Sequence, residues 1–554
     1  MELLGSEIIL ESLRREGVDT IFGYPGGAVI PLYDALMKAP FRHVLTRHEQ
    51  GAAHAADGYA RATGKVGVCV ATSGPGATNL VTGLTNAYMD SIPLVAITGQ
   101  VPTSLLGKDS FQEADIRGIT IPITKHNYLV KSVTDLPRVI KEAFYIARTG
   151  RPGPVLIDVP KDLTTQKAKF AYPSEVRLRG YRPRYEGDPA AVEAAARLLA
   201  QAKRPLFFVG GGVQLADAAA PFRQLVDKTG VPVVSSLMAL GVVPTNHPLY
   251  YGLVGMHGTY AANMAVMNAD LLIGFGVRFD DRVTGNLQTF APKAKIVHFD
   301  IDEAEINKNV RTEVAVVGHL KWSLEAFLQL VERGDYTEWV SGLDRWRQEH
   351  PLTYEKKDGL LKPQWVIEEI SRLTGGEAIV ATDVGQHQIW TAQYYGFKHP
   401  RSFLTSGGLG AMGFGLPAAI GAQVGRPDRT VFLVSGDGSF LMNIQEMATA
   451  VEQELPLKVA ILNNGYLGMV RQWQELFFNR HYASTRLSGV DFVKIAEGFG
   501  AVGLRVTRPE EVRPALERAL ATPQPVFIDF QVAAEENVFP MVPAGASLDQ
   551  IIGA

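Results

Sequence analysis

Asp437 and Asn464 have the side-chain types and the spacing of a magnesium site. Asp437 follows the apolar run 431–434 within a Gly-Asp-Gly turn, and Asn464 follows the apolar run 459–462. Such runs predict two buried strands that flank a helix, and parallel strands end at one edge of their sheet. A carboxylate and an amide there suit Mg²⁺, which takes few protein ligands and leaves positions for phosphate oxygens. Because Gly-Asp-Gly is also common turn chemistry, a purely structural turn is the alternative.

Glu49 is the second side chain that could do chemistry. It is followed by small residues at helical spacing, which predicts a carboxyl group at the start of a tightly packed helix. On the residues alone, a helix N-terminus whose dipole stabilises a glutamate accounts for this position.

The composition is that of an ordinary globular protein with several domains. A chain of 554 residues exceeds what one hydrophobic core supports, so about three or four domains are expected. The net charge is 54 − 57 = −3, without a block of like charge. We therefore expect no nucleic-acid partner and no anionic membrane partner. The chain has a single cysteine, Cys69, which lies in an apolar run. One cysteine alone excludes a disulfide framework and a CxxC site.

Targeting and membrane segments are not expected. The N-terminal segment is acidic and fits neither a signal peptide nor a basic transit peptide, so we expect a cytoplasmic protein. Two long uncharged stretches, 66–89 and 403–425, are interrupted by Gly and Pro. They predict strand, loop and buried helix rather than membrane spans.

Short apolar runs alternate with helical patterns in three parts of the chain, which predicts three α/β domains with parallel sheets. The predicted domains are residues 1–165, 190–330 and 363–535. Charged, irregular segments at about 166–188 and 332–362 are the predicted boundaries. The predicted strands are 66–71, 93–98, 155–159, 205–209, 271–275, 295–299, 378–382, 431–434, 459–462 and 526–530.

Several motifs together resemble one enzyme family. The Gly-Asp-Gly turn with its distant Asn-Asn pair resembles the diphosphate-binding motif of thiamine diphosphate enzymes, and 47–61 resembles the segment with their catalytic glutamate. Within that superfamily the chain resembles the catalytic subunit of acetohydroxyacid synthase (acetolactate synthase) over about residues 5–552. The most specific motifs are RFDDRVTGN at 278–286 and GMVRQWQ at 468–474. The other motifs lie at 23–34, 111–115, 125–127 and 255–259.

The resemblance implies thiamine diphosphate and Mg²⁺ as cofactors. Glu49 would hydrogen-bond the aminopyrimidine ring, so that the cofactor can deprotonate its own thiazolium. Asp437, Asn464 and the carbonyl of Tyr466 would hold Mg²⁺. Met412 would support the bent cofactor, although a core methionine is the alternative. The other residues implied at this cofactor are Val384, Gly385, Gln386, His387, Gly410, Gly436, Gly438, Ser439, Leu467, Gly468 and Met469.

The resemblance also implies FAD in the central, Rossmann-like domain. A glycine-rich turn after a strand lets backbone amides approach a pyrophosphate, and an acid at a strand end can bind a ribose hydroxyl. On spacing alone such turns are common to many α/β proteins. The implied FAD contacts are Gly210, Gly211, Gly212, Gly255, Met256, His257, Gly258, Arg278 and Asp300.

Five residues are implied to line the substrate pocket. Arg282 can clamp a carboxylate and Trp473 can pack on a short alkyl group. The alternatives are an ion pair between Arg282 and a neighbouring aspartate, and a core role for Trp473. The first domain would add Phe111, Gln112 and Lys125, which could also be ordinary loop residues.

The reaction implied is decarboxylation of pyruvate followed by condensation with a second 2-keto acid. Pyruvate as acceptor gives 2-acetolactate and 2-oxobutyrate gives 2-aceto-2-hydroxybutyrate, the first common step toward the branched-chain amino acids. The family forms its active sites between subunits, which implies a homodimer or homotetramer, and some members have a small regulatory subunit. The alternatives are a pyruvate oxidase that uses thiamine and FAD, a catabolic acetolactate synthase without flavin, and a non-catalytic protein that keeps only the fold.

Overall fold

The computed structural model describes residues 2–356 and 359–553. Met1, which the predicted first domain includes, and residues 357–358 of the second predicted boundary lie outside the described residues. Three six-stranded sheets follow one another along the chain, and the strand pairs within each sheet are parallel. The predicted fold class, three parallel-sheet α/β domains, is confirmed. Within the described residues no helix is long and apolar enough to cross a membrane.

The first sheet has the strand order β3-β2-β4-β5-β7-β6, and a short antiparallel pair of β1 and β8 lies beside it. Because β8 pairs with β1, part of the predicted boundary at 166–188 belongs to this domain. Its strands are β1 (Glu2–Leu4), β2 (Thr20–Gly23), β3 (Arg42–Leu45), β4 (Gly67–Ala71), β5 (Leu94–Gln100), β6 (His126–Leu129), β7 (Pro154–Pro160) and β8 (Lys167–Lys169). Its helices are α1 (Gly5–Arg15), α2 (Ile30–Leu36), α3 (Glu49–Thr63), α4 (Pro75–Thr78), α5 (Val81–Met89), α6 (Ile116–Thr120), α7 (Leu136–Arg148) and α8 (Lys161–Thr165).

The middle sheet has the order β11-β10-β9-β12-β13-β14, which is the doubly wound order of dinucleotide-binding folds. The strand order reverses between β9 and β12, the usual place for a ligand in such sheets. Its strands are β9 (Pro205–Val209), β10 (Val233–Ser235), β11 (Tyr250–Leu253), β12 (Leu271–Phe275), β13 (Lys295–Asp300) and β14 (Val314–Val317). Its helices are α9 (Pro189–Gln201), α10 (Gly211–Leu215), α11 (Ala219–Thr229), α12 (Tyr260–Asn268), α13 (Asp281–Thr284), α14 (Leu320–Leu330) and α15 (Thr337–Glu349).

Helix α15 corrects one prediction. The charged stretch 332–362 was predicted to be irregular, but its middle forms α15, and Trp339 and Leu343 are buried in the core of the middle domain. The indole N–H of Trp339 donates to the Pro205 carbonyl of β9 over 3.0 Å. The apolar residues of this stretch are few and widely spaced, so its charge obscured the helix.

The third sheet has the order β16-β15-β17-β18-β20-β19, the same pattern as the first sheet, and its order reverses between β15 and β17. Its strands are β15 (Ile379–Thr382), β16 (Phe403–Leu404), β17 (Val431–Gly436), β18 (Lys458–Asn463), β19 (Val502–Val506) and β20 (Val526–Gln531). Its helices are α16 (Pro363–Thr374), α17 (Gln386–Tyr394), α18 (Gly415–Gly425), α19 (Asp437–Phe440), α20 (Glu446–Glu452), α21 (Gly468–Phe477), α22 (Phe492–Gly498) and α23 (Pro509–Ala521).

Two buried helices join the first and third domains. The Ala- and Gly-rich helix α3 packs against α18, which is itself composed largely of small and apolar residues. Small side chains let the two helix backbones approach closely, and nearly every residue of both helices is buried. The predicted site residues at the start of α3 and just before α18 are therefore held on a rigid unit.

Candidate active site

One cavity of about 760 Å³ is lined by residues of all three domains. It extends from the turns after β9, β12 and β13 of the middle sheet to the loops after β15 and β16 of the third sheet. Part of the predicted flavin set and part of the predicted thiamine set therefore share one continuous space, whereas Asp437, Asn464, Tyr466 and His387 are not among the described residues of its lining. The predicted site residues in its lining are Gly211, Gly212, Met256, His257, Arg278, Arg282, Asp300, Val384, Gly385, Gly410, Met412, Met469 and Trp473.

Asp437 and Asn464 follow two neighbouring parallel strands at the same edge of the third sheet, as predicted. Gly436 at the end of β17 pairs with Leu462 of β18, so Asp437 follows this pair directly and Asn464 lies two residues beyond it. Asp437 opens α19 and is buried, and this burial raises the pKa of its carboxyl group to about 6. A carboxylate that loses hydration in this way gains most from a nearby cation. The side chain thus suits a metal ion.

Hydrogen bonds orient the rest of the predicted metal site. The Asn464 side-chain oxygen accepts from the Tyr466 amide over 3.0 Å, and its side-chain nitrogen donates to the Gln386 side-chain oxygen over 3.2 Å. Ser439 Oγ donates to the Val384 carbonyl over 2.8 Å. This bond joins the Gly-Asp-Gly turn at Asp437 to the turn after β15. In the described residues no three His, Cys, Asp or Glu side chains cluster as metal ligands, so a metal here would depend on amide and carbonyl oxygens as well.

His387 provides a test of whether a diphosphate fits here. Its ring is buried, and Nε2 has no hydrogen-bond partner among the described residues. Burial lowers the pKa of His387 to about 3, so the ring is neutral near pH 7. A buried polar atom without a partner is costly. The ring donates to the Asp383 backbone, so the remaining nitrogen of the neutral ring, Nε2, is an acceptor. A phosphate oxygen, which is also an acceptor, satisfies it only if the ring is protonated, so the ring by itself does not favour the diphosphate contact.

Glu49 is the first residue of α3, as predicted. The helix is capped by His48, whose Nδ1 accepts from the Gln50 amide over 3.1 Å. The Glu49 carboxylate is buried and accepts from Asn79 Nδ2 over 2.9 Å. Glu49 is not among the described residues that line the cavity with Met412 and Trp473.

The three other first-domain residues also lie outside the described cavity lining. Phe111 is 89% exposed, and Gln112, with φ of 58°, belongs to the same surface loop. Lys125 is occupied differently, because its Nζ donates to the carbonyls of Ile146 and Thr149 at the end of α7. Burial lowers the pKa of Lys125 to about 8. Within one chain, Lys125 has a structural environment and does not contact the cavity.

The flavin side of the cavity is built from two glycine turns. A Cβ atom at Gly210 would lie 2.0 Å from the Gly276 carbonyl oxygen, so only glycine fits at this contact. The Gly210 and Gly212 amides donate to the carbonyls of Phe275 and Gly276, over 2.9 and 3.2 Å. The prediction that the amides of these glycines approach a pyrophosphate is therefore partly wrong, because the amides of Gly210 and Gly212 hold the two turns together. The two turns pack closely at the point where the strand order reverses. The crevice at this point suits a dinucleotide.

Polar groups surround this crevice. Asp300 is the last residue of β13 and lines the cavity. One oxygen of its carboxylate accepts from the Asp302 amide over 2.9 Å. Arg278 donates to the Met89 carbonyl of the first domain over 2.8 Å. His257 is partly buried, and its buried Nδ1 has no partner among the described residues. Gly255 and Gly258 form the turn that carries Met256 and His257. The residues present fit FAD.

Arg282 and Trp473 face the same cavity from different domains. Arg282 Nη1 lies 3.3 Å from Met256 Sδ, and its nearest carboxylate contact, to Asp281, is 4.0 Å long. The alternative of a close ion pair is thus not favoured, and the guanidinium keeps free donors. Trp473 of α21 is half-buried and packs edge-on against Phe477 at 5.8 Å. The arrangement offers a carboxylate clamp and an apolar wall.

Several cavity residues were not found from the sequence. The first domain contributes Met89–Ser91 and the turn 148–152, whose Arg151 contacts Glu305 of the middle domain over 2.7 Å. Asp383, just after β15, is not among the described lining residues, but it accepts from the Gly413 amide over 2.7 Å and so fixes the residue after Met412, which lines the cavity. An acid directly after a buried strand was the available signal at Asp383. For the first-domain residues the sequence contains no such signal, because their role depends on how the domains pack.

Models of three protein domains match the chain in order. The thiamine pyrophosphate enzyme N-terminal TPP-binding domain matches residues 4–119, the central domain matches 192–327, and the C-terminal TPP-binding domain matches 383–530. Each match falls on one of the three sheets. The chain therefore belongs to the thiamine pyrophosphate enzyme family.

Relatives along the full chain narrow the family. An acetolactate synthase of Mycobacterium leprae is 51% identical over 567 residues, covering 100% of this chain and 91% of the relative. The acetolactate synthase large subunit of Corynebacterium glutamicum is 50% identical and covers 99% and 90%. Acetolactate synthase 1, chloroplastic, of Nicotiana tabacum is 48% identical and covers 99% and 84%. Within the family, this chain is one of the acetolactate synthases.

Proposed function

We propose that this chain condenses two pyruvate molecules to 2-acetolactate and CO₂, and that it also accepts 2-oxobutyrate as the second substrate. The observation that carries the proposal is the single cavity in which Met412, Arg282 and Trp473 lie together. The full-length similarity to acetolactate synthases supports the same reaction. It is the first common step of branched-chain amino-acid biosynthesis.

We propose three cofactors. Thiamine diphosphate lies at the third domain, with His387 and the turn after β15 at its diphosphate and Met412 beneath its bend. Mg²⁺ is held by Asp437, Asn464 and the Tyr466 carbonyl. FAD occupies the crevice at the Gly210–Gly212 turn, with Arg278 and Asp300 among its contacts. The support is the buried carboxyl of Asp437 and the close-packed glycine turns.

The chain's own residues then have distinct tasks. When bound, thiamine diphosphate supplies the electron sink for decarboxylation of a 2-keto acid. Glu49, which accepts a hydrogen bond from Asn79, would be held by it in position to exchange a proton with the aminopyrimidine ring. Arg282 binds the carboxylate of the acceptor through its free donors. Trp473 packs on the acceptor's alkyl group and keeps water out.

A second copy of the chain completes the site in this proposal. Glu49 is missing from the described lining of the cavity that holds Met412 and Trp473, which supports its contribution by another subunit. Gln112 beside the exposed Phe111 would enter the same shared site. We propose a homodimer or homotetramer. Because the C. glutamicum relative is named a large subunit, we also propose a small regulatory partner.

A cytoplasmic location stays a prediction, and the plant relatives are named chloroplastic. Two other functions remain as alternatives. A pyruvate oxidase would use the flavin for electron transfer, and a catabolic acetolactate synthase would lack flavin. The cavity wall after β9 favours a bound dinucleotide and so disfavours the second alternative.

The test is a product assay on the purified protein with thiamine diphosphate, Mg²⁺ and FAD. Pyruvate alone is expected to give 2-acetolactate, and pyruvate with 2-oxobutyrate is expected to give 2-aceto-2-hydroxybutyrate as well. A flavin absorbance spectrum of the same preparation separates the flavin-free alternative. Consumption of an electron acceptor in proportion to pyruvate would contradict the proposal and favour the oxidase.

A further inference from the structure

A buried ionic cluster of the first domain lies beneath the cavity. Arg61 of α3 contacts the carboxylate of Asp57, one helical turn away, and donates through Nη2 to Asp90 Oδ2 over 2.8 Å. All three side chains are at most 3% exposed. Nη1 of Arg61 donates to the Thr405 carbonyl of the third domain over 2.9 Å. Two carboxylates thus share one guanidinium at a domain boundary.

Asp90 also binds the backbone of the third domain. The Gly408 amide donates to Asp90 Oδ1 over 2.7 Å, and the Gly407 amide donates to Asp90 Oδ2 over 3.0 Å. These glycines begin the loop 406–412, which lines the cavity and ends at Met412. Hydrogen bonds to a charged acceptor are stronger than those between neutral groups. One first-domain carboxylate therefore fixes the start of the loop.

The loop is held at three further points. Ser406 Oγ donates to Asn86 Oδ1 of the first domain and accepts from the Ala411 amide, the latter over 2.8 Å. The Gly413 amide donates to Asp383. Met412 thus stands between two anchored residues. The contact is also tight, since a Cβ atom at Gly408 would lie 2.9 Å from Asp90 Oδ1 and 3.1 Å from Met89 Cβ.

We infer that Asp90 is a positioning residue for the reaction and that Asn86 assists it, because together these first-domain anchors set where Met412 stands in the cavity. The inference rests on the proposed function, in which Met412 supports the bent cofactor. A displacement of about 1 Å in a positioning group can lower a rate about 100-fold. The first domain therefore shapes the thiamine site of its own chain by holding the backbone amides of Gly407 and Gly408, whereas its Glu49 completes the site of another subunit in the proposed function.

The cluster offers a matched pair of variants. Asp90→Asn leaves Arg61 paired with Asp57, so the remaining buried charges balance and the chain is expected to fold. Asp57→Asn makes the same change of charge in the same cluster. Asp57 bonds Arg61 and Asn86 but no backbone amide of the loop. Asp57→Asn therefore affects the loop only through the assisting Asn86, and a larger effect of Asp90→Asn reports on the amides of Gly407 and Gly408 and not on the charge.

The experiment compares the two variants with the wild type in saturating FAD and Mg²⁺. Binding of thiamine diphosphate is measured by quenching of tryptophan fluorescence, kcat by acetolactate formation, and folding by Tm. We expect Asp90→Asn to raise the dissociation constant, and to lower kcat, by at least about tenfold, the scale of losing charge-assisted hydrogen bonds. We expect Asp57→Asn to stay within about threefold in both quantities.

Equal effects of the two substitutions, or unchanged binding in Asp90→Asn, would overturn the inference. If Asp90→Asn does not fold, Ser406→Ala decides, because it removes the link to Asn86 without changing a charge. Ser406→Ala is expected to weaken binding several-fold at an unchanged Tm, and wild-type binding would again overturn the inference. If the wild type binds thiamine diphosphate but forms no acetolactate, the proposed function fails, whereas the binding comparison still decides the role of Asp90.

Discussion

The side-chain amide of Asn464 donates to the side-chain oxygen of Gln386 over 3.2 Å. Gln386 Nε2 donates in turn to Gln472 Oε1 and to the Glu536 carbonyl, each over 2.9 Å. These bonds fix which end of each amide faces the site. The oxygen of Asn464 is thereby turned toward the Tyr466 amide, from which it accepts over 3.0 Å.

Asp437→Ala removes the only carboxylate from the proposed metal site. We expect weaker binding of Mg²⁺ and thiamine diphosphate, and partial recovery of activity at high concentrations of both, because the diphosphate loses its bridge. Titration of thiamine diphosphate at several Mg²⁺ concentrations checks this. The control is Asp428→Ala, which breaks a surface ion pair with Arg426 and should bind normally. Unchanged cofactor affinity in Asp437→Ala would mean that the turn is only structural.

Glu49→Gln keeps the shape of the side chain but removes its charge. We expect kcat to fall by about 100-fold or more, the scale for a positioned proton-transfer group, while thiamine diphosphate still binds. Asn79→Ala, which removes the hydrogen bond that orients the carboxylate, should give a smaller loss. Steady-state rates and a cofactor titration on each variant provide the comparison. Near-normal turnover of Glu49→Gln is the result that excludes the assignment.

A mixture of Glu49→Gln and Asp437→Ala chains tests the shared site. If each site takes Glu49 from one chain and Asp437 from another, a mixed dimer contains one intact site. Random reassociation then restores about a quarter of wild-type activity, because half of the dimers are mixed and each has one good site of two. Activity is measured after joint dissociation and reassociation, with each variant treated alone as the control. No recovery would indicate that each chain builds its own site.

Trp473→Leu tests the choice of acceptor. The large ring beside the acceptor's alkyl group should favour the extra methylene of 2-oxobutyrate, a difference of about 1–3 kcal/mol. The variant should lose much of this preference and still form acetolactate. Arg282→Lys keeps the charge but loses the planar fork, so both products should fall together. The product ratio in a mixed-substrate assay measures both effects, and an unchanged ratio in Trp473→Leu would make this tryptophan a core residue.

Asp158 makes the stability of the first domain depend on pH. It is buried on β7 and accepts from Thr98 and Gln100, and burial raises the pKa of its carboxyl from 3.8 to about 7. The folded state thus binds the proton more tightly than the unfolded state. The stability that Asp158 contributes is present below about pH 4 and is lost as the pH rises through about 7.

Asp158→Asn removes this titration, since an amide can keep both hydrogen bonds when the Thr98 hydroxyl turns to accept. We expect the Tm of the variant relative to wild type to rise between about pH 5 and about pH 8. Thermal unfolding at several pH values measures the difference. A difference in Tm that stays constant over this range would show that Asp158 remains charged in the folded protein.

Much of the fold follows from local patterns. The predicted strands 205–209 and 271–275 match β9 and β12 residue for residue, because buried parallel strands are short apolar runs bounded by turns. The predicted strands 431–434 and 459–462 likewise lie within the neighbouring strands β17 and β18, so the position of Asp437 and Asn464 at one edge of the sheet follows from the same patterns. Helix α15 was missed because its core contacts, through Trp339 and Leu343, are few and its surface is charged.

Contacts between segments that are distant in sequence, within a domain or between domains, could not be derived from local patterns. The environment of Lys125 among the carbonyls at the end of α7 depends on a contact between segments about twenty residues apart. The hydrogen bonds from the Gly407 and Gly408 amides to Asp90 join residues of different domains, and the spacing of these residues in the sequence does not predict them. The roles of Glu49, Gln112, Arg282 and Trp473 came from the family resemblance and stay predictions until the variants above are measured.

The most direct test of the central claim is the carbon balance of an anaerobic reaction. Purified protein with thiamine diphosphate, Mg²⁺ and FAD is given pyruvate in the absence of oxygen and of any other electron acceptor. The proposed chemistry predicts continued turnover in which two pyruvate molecules give one 2-acetolactate and one CO₂. A reaction that stops without an electron acceptor, or that yields acetate in place of acetolactate, would contradict it.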